Sequence, residues 1–135
     1  MTEVFINLMR VFKNKWFARY ARQLDIDDTA LCEAVRRATQ GIIDADLGGG
    51  VVKQRVARPG SGNSGGFRTV IIFRVGEVAF FVYGFAKSAR GNIGSDELKA
   101  FKTLASEMLA YDKDFLAEAV KEGALTEVTC DEKAI

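Results

Sequence analysis

The sequence predicts an α+β domain, a small antiparallel sheet flanked by helices, and three observations point to it. Apolar residues recur at helical spacing from Trp16 to Ala38; β-branched and aromatic residues take over in the centre; helical spacing returns after Ser95. The chain has 135 residues, of which 48% are apolar and 27% charged, so one domain spanning 1–135 with a single core is expected. Ten Phe, three Tyr and one Trp supply the bulk for that core, and the composition excludes a disordered chain. No apolar run approaches the ~20 residues that cross a bilayer.

Each element follows from local pattern. Val4 to Phe12 mixes β-formers with polar residues and predicts a short strand ending near Phe12. Trp16, Phe17, Tyr20, Ala21 and Leu24 share one helical face. Asp25, Asp27 and Asp28 then offer acceptors and negative charge to the start of a second helix, whose stripe is Leu31, Ala34, Val35 and Ala38 and whose end is Gly41. Cys32 falls inside that helix as a small apolar residue. Val51–Val56, Phe67–Arg74 and Val78–Ala86 read as strands, the last two joined closely enough for an antiparallel hairpin. Pro59 to Gly66 reads as a flexible loop between the first two. Ser95 is the expected N-cap of a third helix that packs through Leu98, Phe101, Leu104, Ala105, Met108 and Leu109. A fourth helix from Asp112 uses Phe115, Leu116, Ala119 and Val120 and ends at Gly123; Leu125–Val128 adds an edge strand.

Two counts narrow the chemistry. The chain has no histidine, which removes histidine-dependent triads, histidine-ligated zinc and two-histidine ribonuclease mechanisms. Its two cysteines, Cys32 and Cys130, lack metal-ligand spacing and are too few for a disulfide framework. With no secretory signal pattern at the N-terminus, the expectation is a soluble cytoplasmic protein with no metal, no cofactor and no membrane partner.

The net charge of +1 conceals a strong asymmetry. Residues 1–50 are balanced, residues 51–90 carry seven basic groups against Glu77 alone, and residues 91–135 carry ten acidic groups against five basic ones. A neutral chain with a basic middle implies an anionic partner there, against the plainer reading of a solvated strand face. Lys53 and Arg55 are two apart on a strand and leave the same face of the sheet. Arg68 lies on the next strand and Lys87 just beyond the third, so a meander gathers these cations into one basin suited to a phosphodiester. Phe67, Phe81, Tyr83 and Phe85 interleave with this charge. Period-2 aromatics in a strand read mainly as core, and Tyr83 is the one retained for stacking on a base, because its hydroxyl needs a partner or water. Gly60 to Gly65 matches a G-x-G-x-x-G string, but a strand rather than a helix follows it, so a dinucleotide site is rejected.

The run Asp44 to Arg58, together with Ser64-Gly65-Gly66-Phe67-Arg68-Thr69 and Phe80 to Lys87, resembles the RelE-like toxins of bacterial type II toxin–antitoxin systems, and Glu97-Leu98-Lys99 opens the helix expected next. The resemblance runs from about residue 12 to about 109, leaving 1–8 and 129–135 peripheral, and is strongest toward the host-inhibition (HigB-like) branch. It implies a microbial-ribonuclease-like fold and an mRNA endoribonuclease that acts on the ribosome, neutralised by a cognate antitoxin of helix-turn-helix type that alone would carry operator DNA. It implies catalytic roles for Lys53, Arg55, Arg68 and Lys87, with Arg90 a second match for the last of these; Arg58, a basic neighbour, and Tyr83 join Arg90 as candidates for RNA binding. The C-terminal aromatic with which some relatives stack on substrate has no counterpart. A histidine-free cleavage is chemically sound: the ribose 2′-hydroxyl attacks the adjacent phosphorus, clustered cations stabilise the phosphorane, and Lys53 is a candidate base. Other readings of the same basic face are a ParE-like gyrase-binding toxin, a non-catalytic nucleic-acid-binding module, and a structural protein that meets an acidic partner.

Overall fold

The computed structural model describes residues 9–57, 66–86 and 92–130. The chain runs β1 (Arg10–Asn14), α1 (Lys15–Gln23), α2 (Asp28–Thr39), β2 (Ala45–Gly48), β3 (Val51–Val56), β4 (Phe67–Arg74), β5 (Val78–Ala86), α3 (Ser95–Met108), α4 (Lys113–Lys121) and β6 (Leu125–Val128). Among the described residues four helices thus flank one six-stranded sheet of order β2-β3-β4-β5-β1-β6, the α+β class expected. The expected strand before Phe12 appears as β1, and its first residues, 4–8, lie outside the described residues.

The helices start where short polar side chains meet free amides. Asn14 accepts from the Phe17 N–H, Asp27 from Ala30 and Asp112 from Phe115, each satisfying one orphan donor of a first turn. The third helix departs from expectation by one residue. Gly94 is the cap, its N–H donating to Glu97 Oε1 at 2.7 Å, and Ser95 is already helical. The Glu97 carboxylate satisfies the N–H of the cap residue itself, and glycine offers no side-chain acceptor to the first-turn amides.

The sheet is mixed rather than wholly antiparallel. β2 to β5 form an antiparallel meander, and β6 pairs antiparallel with β1, but β1 runs parallel to β5. Parallel neighbours need a long crossover, and everything between β1 and β5 supplies it. Strand direction is invisible to local periodicity, which is why only the tertiary pairing reveals it. β2 is a strand that periodicity did not suggest. Its turn into β3 uses Gly48, Gly49 and Gly50, all at positive φ, and a side chain at Gly50 would put its Cβ 2.6 Å from Leu109 Cδ1. The bare turn lets β2 and β3 sit directly beneath α3.

Two cores lie on opposite faces of the sheet. On one, α1 and α2 bury Phe17, Ala21, Leu31, Val35 and Ala38 against Val52, Val56, Phe67, Ile71 and Phe81. On the other, α3 and α4 cover Phe12, Val51, Val70, Ile72, Phe80 and Val82 through Ala105, Met108, Leu116 and Ala119. Phe101 and Leu104, expected in the core, are half-buried at its margin. β3 alternates between these faces with period two, so Val52, Gln54 and Val56 enter the α2 side while Lys53 and Arg55 leave on the other.

Gln54 is buried and fully used. Its Nε2 donates to Ala34 O at 3.0 Å and to Ile42 O at 2.9 Å, its Oε1 accepts from the Arg55 N–H at 3.3 Å, and its backbone carbonyl accepts from Thr69 Oγ1 at 2.8 Å. One amide thereby fastens the last turns of α2 and the following loop to the strand that carries Lys53 and Arg55. Gln54→Leu leaves two carbonyls without these donors, at a cost of about 1–3 kcal/mol each where water cannot replace them. The expected outcome is a clear drop in the denaturation midpoint by urea titration, with an unchanged slope.

Cys32 occupies the apolar place expected of it in α2 but is not a free thiol: it forms a disulfide with Cys130, just past β6. The two cysteines are 98 residues apart with Cα atoms 5.8 Å apart, so no sequence spacing could have paired them. A bridge closing a loop of this size restricts the unfolded chain by about 4–5 kcal/mol in the loop-entropy account. Reductant is expected to lower the melting temperature of the oxidised protein. A Cys32→Ser/Cys130→Ser variant is expected to melt with the reduced parent and to ignore reductant.

Candidate functional site

The cations lie on β3 and β4, on the α3 side of the sheet. Register places them in rows. Lys53, Val70 and Tyr83 stand side by side across β3, β4 and β5; Arg55, Arg68 and Phe85 form the next row. Strands lie about 4.8 Å apart, so cations on β3 and β4 and aromatic rings on β5 span roughly 10 Å. The structure therefore brings together Lys53, Arg55, Arg68 and Tyr83. Arg58, Lys87 and Arg90 lie outside the described residues, as does the loop before Gly66.

Arg55 and Arg68 are direct cross-strand partners, an opposition of like charges that weakens a sheet. A carboxylate that sequence reasoning did not select as a site residue relieves it. Asp44, immediately before β2, reaches Arg68 Nε with Oδ2 at 3.1 Å and lies 3.8 Å from Lys53 Nζ. Its backbone N–H donates to Lys53 O at 3.1 Å, which ties it to the β3 ladder. Lys53 also donates to Asn92 Oδ1 at 3.3 Å, from the segment entering α3. Among the described residues no carboxylate pairs with Arg55. The cluster is accessible: the Asp44 side chain is 32% exposed, with Lys53 and Arg68 at 16% and 15%. The signal for Asp44 lay in its place ahead of the glycine turn, but only the β2–β3 pairing puts it beside Lys53.

Backbone and aromatic packing fix the cationic side chains. A Cβ at Gly66 would fall 2.8 Å from Val56 O and 3.2 Å from Arg55 Nε, so only glycine lets Arg55 lie across the start of β4. Arg37 from α2 donates to Arg55 O at 2.6 Å, adding a further guanidinium to this end of β3. Tyr83 is half-buried, its ring 4.7 Å from Trp16, 5.7 Å from Phe101 and 6.2 Å from Phe85. Trp16, from the first turn of α1, stacks on Tyr20 as well at 5.0 Å. Burial, and then the neighbouring Tyr83, push the Tyr20 phenol above its ordinary range. Phe67, Phe81 and Phe85 are buried, in line with their reading as core.

Lys53, Arg55 and Arg68, with Asp44 paired to two of them, thus form a cationic cluster on a small α+β scaffold. Residues 9–128, most of the chain, match the family model of the RelE toxin of the RelE / RelB toxin-antitoxin system, and the protein belongs to that family. It is thus a toxin of a toxin–antitoxin system, with an antitoxin as its partner. No curated protein matches the chain. Among the described residues no helix is long and apolar enough to cross a membrane.

The rows make a measurable claim about binding. Binding of a single-stranded RNA is expected to weaken linearly in log–log form as salt rises, with a slope of about −0.7 per phosphate neutralised. Arg55→Ala is expected to make that slope shallower by about 0.7 while the melting temperature stays near the parental value. Filter binding across a salt series measures the first and a thermal melt the second.

Proposed function

We propose that this toxin is a metal-independent endoribonuclease that cleaves mRNA on the ribosome and acts in the cytoplasm. One observation carries the reading: Lys53, Arg55 and Arg68 converge on one accessible end of a sheet face, with donors enough to hold a phosphodiester from more than one side. In the cleavage step the 2′-hydroxyl oxygen attacks the adjacent phosphorus, the bond to the 5′ oxygen breaks, and a 2′,3′-cyclic phosphate and a 5′-hydroxyl result. Arg55 and Arg68 stabilise the charge that builds on the non-bridging oxygens, and Lys53 works beside them. The family resemblance assigns Lys87 to the same catalytic set, and Arg58, Arg90 and Tyr83 are assigned to the flanking RNA.

The antitoxin of this reading is a helix-turn-helix protein, as in the HigB-like branch, that silences the toxin by covering or remodelling the basic basin. The acidic balance of residues 91–135 beside the basic middle supports a partner that meets the two regions differently.

Arg68→Ala tests the reading. Loss of one well-placed donor lowers the chemical step by about 10²–10³-fold. Arg68 belongs to neither apolar core, so the melting temperature is expected to stay within a few degrees of the parent. Ribosome binding is expected to weaken far less than cleavage, because other cations still hold the backbone. Single-turnover cleavage of a ribosome-bound message, read by the new 5′-hydroxyl ends, decides the matter. A gyrase-binding toxin or a passive RNA-binding module would leave no such ends.

A further inference from the structure

We propose that Asp44 is the base that takes the 2′-hydroxyl proton, with Lys53 as the acid that protonates the leaving 5′ oxygen; this assignment rests on the nuclease reading above. The site must accept one proton and return another, and its residue types leave few ways to do so. The chain has no histidine. Arginine does not give up its proton, so Arg55 and Arg68 can donate hydrogen bonds and charge but cannot accept. Lys53 faces two acceptors, Asp44 at 3.8 Å and Asn92 Oδ1 at 3.3 Å, an arrangement that suits a donor. The Asn92 oxygen already accepts from Lys53 and from the Ile93 N–H. Among the described residues, Asp44 is the carboxylate that pairs with the cluster. It is 32% exposed, so a ribose can reach it, and its backbone is fixed to β3. Both ion pairs fall on Oδ2, and Oδ1 is the atom assigned to the incoming proton.

The step balances. The O2′–P bond forms as the 2′ proton passes to Asp44; the P–O5′ bond breaks, and the 5′ oxygen takes a proton from Lys53. The cycle leaves a protonated Asp44 beside a neutral Lys53, and one proton transfer between these neighbours restores both. The second charged group on Asp44, Arg68, holds the carboxylate in place and remains a donor to the phosphorane. The pairing of Asp44 with Lys53 and Arg68 is therefore the working arrangement of the site rather than a resting contact that substrate must break.

Asp44→Asn separates the base from its place in the cluster, because the amide oxygen can still accept from Arg68 Nε but cannot carry off a proton. Single-turnover cleavage of a ribosome-bound message by this variant is expected to fall by about 10²–10⁴-fold, the usual range for a lost general base, with a melting temperature near the parent. Asp44→Ala offers a second arm that does not depend on the asparagine variant folding. Added acetate is expected to restore cleavage, and formate, a weaker base, to restore less, whereas chloride at equal ionic strength restores none. Cleavage by Asp44→Asn within a few-fold of the parent overturns the assignment. So does restoration by chloride equal to that by acetate, which would make Asp44 a counter-ion only. A parental protein that cleaves no ribosome-bound message overturns the nuclease reading and this assignment together, which tells the two failures apart.

Discussion

The register of β3 is the constraint on which the rest depends. Side chains on a strand alternate faces, so a slip of one residue would send Lys53 and Arg55 into the α2 core and turn Gln54 out toward the site. Neither move is tolerable: two buried cations would lack partners, and two backbone carbonyls would lose theirs. Gln54 pins the register from within by binding Ala34 O and Ile42 O, and Val52 and Val56 add apolar burial on the same side. The pairing of Arg55 with Arg68 and of Lys53 with Val70 then follows from the ladder alone. The geometry of the site is thus a by-product of how one strand is held against α2.

Charge at the site makes little sense as a stabilising device. Partly exposed ion pairs contribute about 0–1 kcal/mol, and the direct opposition of Arg55 and Arg68 costs something of similar size. Asp44 offsets part of that cost at Arg68 and leaves Arg55 without a carboxylate partner among the described residues. A cluster with a net positive charge, held near the open end of a sheet face, gains nothing for the fold and much for an anionic ligand.

The aromatic residues of β5 are core as their sequence positions suggest, with Tyr83 the exception. Tyr83 is the only ring of the β5 series that is not buried, yet it is not isolated, because Trp16 and Phe101 pack on it from α1 and α3. These contacts join both helical layers at the edge of β5 next to the cations. The disulfide performs a comparable service at the far side, fastening α2 to the chain beyond β6.

Much of this was legible in the sequence. β-branched and aromatic runs marked β3, β4 and β5; Asp27 and Asp112 marked two helix starts; the basic middle marked Lys53, Arg55 and Arg68, because spacing of two places residues on one strand face whatever the surrounding fold. Local pattern carries such information because it reports on interactions within a few residues. The parallel pairing of β1 with β5, the strand β2, the cap at Gly94, the Cys32–Cys130 bridge and the position of Asp44 beside Arg68 were decided by tertiary structure. The Gly94 cap turns on which of two adjacent residues the chain's approach to the sheet leaves non-helical. The others depend on contacts between segments distant in the chain, to which periodicity and residue preference are blind.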